Sequence, residues 1–120
     1  MYREDLKQRF RQFSIRIVKM VDSMPRSISS DAIARQVIRS GTSPYANYRA
    51  ACIGKSDKDF LNKLKMVEEE LDETAHWLDL IIACDIMPKE RMQDLYNENL
   101  ELVKIIVASI KTMRTKIKSD

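Results

Sequence analysis

The sequence predicts an all-α protein: an up-and-down four-helix bundle, one domain over residues 1–120, with its second helix kinked near Gly41–Pro44. Three observations carry that prediction. Apolar residues recur at spacings of three and four through most of the chain, the signature of amphipathic helices. Only two glycines and three prolines are available for turns, too few for many short strands. Serine or proline stands at three positions where helices would begin, and short connections between consecutive helices favour antiparallel neighbours.

The first helix is marked by Leu6, Phe10, Phe13, Ile17, Met20 and Met24, a narrow apolar seam. Pro25 and the PRSISS run end it, because the residue before proline is pushed out of the helical region. Ser30 is the expected N-cap of the second helix, with Asp31 in its first turn and Ile33, Val37 and Ile38 opening the stripe. Within that helix the stretch RSGTSPYANYRAAC sets Gly41, Thr42, Ser43 and Pro44 in succession. Gly41 closing one helix and Ser43 capping another is one reading. The other is a single kinked or briefly interrupted helix, with hydroxyls partly satisfying the carbonyls that proline frees. Ile38, Gly41, Tyr45, Tyr48 and Cys52 stay in phase across the break, which favours the continuous helix.

Gly54 is the expected stop, and Ser56 with Asp59 three residues on starts the third helix. Its core face is Phe60, Leu64, Val67, Leu71, Leu78 and Ile82. The fourth helix opens at Pro88 and runs through Met92, Leu95, Leu102, Ile106, Ile110, Met113 and Ile117. Leu100, Val103, Ile105 and Val107 spread apolar character around most of its circumference. Together with Ile15 and Val18 off the seam of helix one, this points to self-association.

Hydrophobic content of 44% with 32% charged residues fits a soluble globular chain. No apolar run is long enough to span a bilayer, and the charged start MYREDLKQRF lacks a signal region, so the expectation is a cytoplasmic protein. Cys52 and Cys84 read as small buried hydrophobes in a reducing compartment. Net charge is +3, unevenly spread: residues 1–56 hold eleven Lys/Arg against four Asp/Glu, and residues 57–84 hold three against eight. Unlike faces can pack on one another within or between chains, and any leftover basic surface suits an anionic partner such as RNA or DNA.

Two polar stripes are the candidate functional features. Arg35, Arg39, Thr42, Ala46 and Arg49 follow one line of helix two, and Lys63, Met66, Glu70, Glu73 and Trp77 follow one line of helix three. Glu70 and Glu73, bracketed by Met66 and Trp77, are expected to need partners if buried, and the arginines are the evident candidates. Ordinary solvated charges are the alternative. Arg35, Arg39 and Arg49 are the nucleic-acid-binding candidates, and Asn47, Glu70 and Glu73 a candidate structural polar cluster.

These residues carry a resemblance. Arg39-Ser40, Thr42-Ser43 and Ala46-Asn47-Tyr48-Arg49, followed by Phe60, Lys63-Leu64, Glu70, Glu73-Thr74 and Trp77-Leu78, resemble a bacterial four-helix bundle family. That family is named for reading frames within 23S ribosomal RNA intervening sequences. The resemblance implies an up-and-down bundle assembling into a homopentamer, with no established enzymatic activity. Related accessory variability determinant proteins of diversity-generating retroelements are basic pentamers that bind nucleic acid and a reverse transcriptase. Ala50 stands where many members have glutamate, Glu69 where lysine is common, and Pro44-Tyr45 where an aliphatic-small pair is usual. The missing carboxylate at 50 argues against a shared catalytic cluster.

Catalytic chemistry is declined. Glu73-Thr74-Ala75-His76 has the ExxH spacing of di-iron bundles, but such a site needs two copies and His76 is the one histidine in the sequence. No serine or cysteine has a histidine in recognisable arrangement, and no glycine loop could cradle a phosphate. No metal or cofactor is expected, and the chain is read as a non-enzyme. Nucleic-acid binding draws on the sequence pI of about 8.9 and on Lys111, Arg114, Lys116 and Lys118 near the end. Cations at a helix C-terminus are the plain alternative for that cluster. These features predict a homo-oligomer contacting structured RNA or DNA; the alternative is an assembly or adaptor protein with a protein partner.

Overall fold

The computed structural model describes residues 2–119. Those residues form four helices: α1 (Tyr2–Asp22), α2 (Ile28–Cys52), α3 (Asp57–Ala83) and α4 (Lys89–Ser119). They pack into a rod with principal extents of 52 × 23 × 20 Å. Each helix packs on its successor, whereas α1 and α4 touch only lightly. The expected up-and-down bundle is therefore the fold, and its least closed seam lies between its first and last helices.

The core follows the apolar phases read from the sequence. Leu6, Phe10, Phe13, Ile17, Met20 and Met24 of the first segment are all buried, as are Leu64, Val67, Leu71 and Leu78 of α3. On α3 the C-terminal core position is Ile81, with Ile82 only half-buried. Phe10, Tyr48 and Phe60 join three helices in one aromatic run, with ring centroids 5.2 and 6.4 Å apart. Four buried polar residues interrupt the apolar core: Ser30, Ser40, Thr74 and Asn99.

The caps hold one correction. Ser27, not Ser30, caps α2: its backbone is extended and its hydroxyl accepts from the Ser30 amide at 3.0 Å. PRSISS offers three serines, and the cap falls on the one that leaves Ser30 to face the core in the first turn. Ser56 caps α3 as expected, accepting from the Asp59 amide at 3.1 Å. Pro88 stands immediately before α4, and its carbonyl accepts from the Arg91 amide at 3.0 Å. The turn after α3 uses no glycine. Asp85 takes φ of 54°, and the Asp85 and Ile86 amides bond back to the Ile82 and Ile81 carbonyls at 3.1 and 3.0 Å, a Schellman closure.

Helix α2 is continuous across Gly41–Pro44, so the interruption is excluded, and the kink expected there is not confirmed. Pro44 is buried inside it and supplies no amide for the Ser40 carbonyl. The Thr42 and Ser43 hydroxyls instead bond the carbonyls of Ile38 and Arg39, at 2.6 and 2.7 Å. Gly41 has a packing reason: a Cβ there would lie 2.8 Å from the Ile17 side chain. The glycine lets α1 lie directly on the α2 backbone.

The breadth of apolar character on α4 is largely accounted for within the chain. Val103 and Ile105 pack against the protein's own core on either side of the buried line Leu102, Ile106 and Ile110. Of the residues expected to lie off the seams, Leu100 at 39% and Val18 of α1 at 41% are exposed, and Val107 and Ile15 are half-buried. No described helix is long and apolar enough to cross a membrane. Cys52 is half-buried but Cys84 is exposed, so the reading of both as buried holds for neither in full.

Candidate functional site

The polar face between α2 and α3 is built by helical phase. Ser40, Thr74 and Asn47 lie on the sides of their helices that meet, and the charged residues flank them. Thr74 Oγ1 lies 2.9 Å from Ser40 Oγ and 2.8 Å from the Glu70 carbonyl, with both hydroxyls buried. A hydroxyl has one proton to donate. The consistent arrangement has Thr74 donating to the Glu70 carbonyl and accepting from Ser40.

One turn away, Asn47 Nδ2 donates to both carboxylate oxygens of Glu70, at 2.9 and 3.0 Å. Partial burial pushes the Glu70 carboxyl above its ordinary range; the Asn47 hydrogen bond and the Arg39 charge oppose that shift, and Glu73 adds to it. Arg39 is ion-paired with Glu73, whose carboxylate also accepts a 3.4 Å bond from the Trp77 indole. The pair is not buried, since the two side chains are 55% and 36% exposed. Met66, expected to shield these carboxylates, is 43% exposed. Of the expected cluster, Asn47 and Glu70 are in direct contact, with the asparagine and not an arginine holding Glu70, while Glu73 is engaged by Arg39 and Trp77.

The three arginines divide. Arg39 is spent on α3, while Arg35 and Arg49 are exposed and form no ion pair among the described residues. Arg49 lies beside the Tyr45 ring, 5.6 Å from its centroid. It also shares an open cleft of about 350 Å³ with Lys7 of α1, floored by Ala46 and Ala50. Lys7 itself is bonded to Glu4 at 3.5 Å. Lys116 in the C-terminal cluster pairs with Asp57 at 3.4 Å. The Lys7–Arg49 juxtaposition is not legible in a single sequence, because it depends on which faces α1 and α2 turn to each other.

His76 is exposed and stacks edge-on against Trp77, with centroids 4.7 Å apart. Among the described residues no group of three or more His, Cys, Asp or Glu side chains is placed to hold a metal ion.

The model of the 23S rRNA-intervening sequence protein family matches residues 4–108. The chain belongs to that family. The fold agrees with a crystal structure of a protein of unknown function from the S23 ribosomal protein family of Bacteroides thetaiotaomicron VPI-5482. The two are 32% identical, with a TM-score of 0.85 over 92% of this chain and 99% of the other. No functionally curated protein matches. The matched span reaches into all four helices and takes in both polar stripes, and assigns neither stripe an activity.

Proposed function

We propose that this protein is a non-enzymatic, cytoplasmic homo-oligomer, a pentamer by analogy within its family, that contacts the backbone of structured RNA or DNA. The observation that carries the reading is the unpaired state of Arg35 and Arg49 on the outer face of α2, with Lys7 beside the latter. Exposed cations without carboxylate partners are what a polyanion can neutralise, releasing its counterions. The face offers no base-reading fork held in place by neighbours, so recognition is by shape and charge. Repetition of the face around an oligomer would raise a weak contact through avidity.

One observation favours the adaptor reading. Arg39, on the same line of α2, is used to tie α2 to α3, so part of the basic stripe serves the fold. In that reading the partner is a protein, such as a reverse transcriptase, and the remaining charges work between subunits.

The test is a titration of the protein with a labelled RNA hairpin and a labelled DNA duplex across a salt series. Arg35→Ala/Arg49→Ala should weaken binding and lower the log–log salt slope by about 2, and Arg39→Ala much less. Absence of binding at low salt would move the assignment to the protein partner. Sedimentation equilibrium on the same samples reads the assembly state.

A further inference from the structure

The light contact between α1 and α4 leaves a gap near the start of α1. It is a cavity of about 340 Å³, lined by Arg3, Tyr48, Phe60, Ala108, Thr112 and Met113 among others. Its floor is made of buried side chains: Tyr48, Phe60 and Met113 are 1%, 7% and 6% exposed. Arg3 stands at the mouth with its guanidinium carbon 4.1 Å from the Phe60 centroid, and forms no ion pair among the described residues. A cavity between bundle helices, walled by apolar and aromatic groups with one charged group at its rim, has the composition of a small-molecule site.

We propose that this cavity binds a small carboxylate with an apolar tail, the tail on the Tyr48–Phe60–Met113 floor and the carboxylate on Arg3. Its volume is at the lower end of the range for ligand pockets, about 300–1,000 Å³, which suits an eight-carbon chain or a single substituted ring. The planar guanidinium matches a carboxylate in a bidentate fork while its face stays on the Phe60 ring. A nucleobase fits less well, because the Ser109 hydroxyl is already bonded to the Ile105 carbonyl at 3.0 Å and few other polar groups face the cavity. The cleft at the start of α2 offers no such selection. It balances Arg26 and Arg35 against Asp22 and Asp31, and Arg26 is already bonded to Asp31 at 3.0 Å.

The experiment is calorimetric titration of the protein with octanoate, with octan-1-ol as the uncharged analogue, alongside methyl NMR of Met113 and Ala108. Saturable octanoate binding is expected, with shifts at both methyls. Arg3→Gln should weaken it about tenfold, and octan-1-ol should bind correspondingly less well. Ala108→Phe, which fills the cavity from an exposed helix position, should abolish binding with the circular dichroism melt retained. No saturable octanoate binding up to about 10 mM, a range reaching affinities weaker than 1 mM, overturns the proposal. So does binding unchanged in both variants, or octan-1-ol matching octanoate.

Discussion

Ser40 Oγ and Thr74 Oγ1 meet 2.9 Å apart with both residues fully buried, a side-chain hydrogen bond across the α2–α3 seam. A paired hydroxyl contributes little net stability, but an orphaned buried one costs its full desolvation. The bond therefore acts mainly on register: sliding one helix by a residue would strand the Ser40 hydroxyl, while Thr74 would keep its bond to the Glu70 carbonyl of its own helix.

Thr74→Val keeps the shape and removes the acceptor for Ser40. It should cost about 1–2 kcal/mol in urea unfolding. Ser40→Ala/Thr74→Val should cost less than the sum of the two single changes, because neither hydroxyl is then left alone. Additive losses would show that the two groups are satisfied independently.

Gly41→Ala sets two effects against each other. Alanine favours a helix interior by about 1 kcal/mol, but its Cβ would sit 2.8 and 2.9 Å from Ile17 Cγ2 and Cγ1. Those atoms are attached at the branched Cβ of a fully buried side chain, so they cannot swing away, and overpacking of this kind costs about 1–3 kcal/mol. A net loss of about 1 kcal/mol is expected. In an Ile17→Ala background the same change should become neutral or stabilising, and that reversal of sign is the diagnostic result.

The four helices were legible because each core seam is a local pattern, and local patterns survive in a single sequence. The apolar phase of the first segment reads correctly from Leu6 to Met24. What a single sequence does not carry is which exposed sides become neighbours. Glu70 pairs with Asn47 and not with an arginine, because the choice depends on the rotation of α2 against α3. Ser40 has a faint signal, as it falls beside the Val37–Gly41 core phase, but a lone serine there reads equally well as surface. The cavity at Arg3 is further from reach, since it is a gap left where α1 and α4 part. The breadth of α4 is likewise only partly legible, because the lone sequence does not show which of its flanking residues, Val103 and Ile105 among them, pack against the chain's own core.

Glu73→Ala is expected to cost about 0.5–1 kcal/mol. From the sequence, a buried pair would have cost about 1–3 kcal/mol. The difference is exposure: Arg39 is 55% and Glu73 36% accessible, so water and salt screen the pair. The loss should shrink further in about 0.5 M salt, measured by thermal unfolding with Arg39→Ala as the complementary variant. A loss above about 2 kcal/mol would indicate that the pair is desolvated.

Glu70 supplies a stability–pH relationship of the less common sign. Its folded carboxyl titrates above the ordinary value of 4.5, chiefly because burial disfavours the charge. A group with a raised folded value holds its proton more tightly in the native state, so folding is favoured where it is protonated and loses that contribution as pH rises from 4.5 through the folded value. At neutral pH the carboxylate is then a net burden, reduced by the two Asn47 hydrogen bonds and the Arg39 charge. Glu70→Gln keeps an acceptor for Asn47 without the charge. Its unfolding free energy should exceed that of the parent at neutral pH and converge with it toward pH 4.5. Asn47→Ala should do the reverse and steepen the parent's loss, because it removes the largest influence holding the Glu70 carboxyl down. Denaturant titrations of all three proteins at several pH values separate this group from the other carboxylates, which the variants share. If Glu70→Gln is instead less stable than the parent at neutral pH, the hydrogen bonds to the charged carboxylate outweigh its burial, and Glu70 is a stabilising member of the α2–α3 seam.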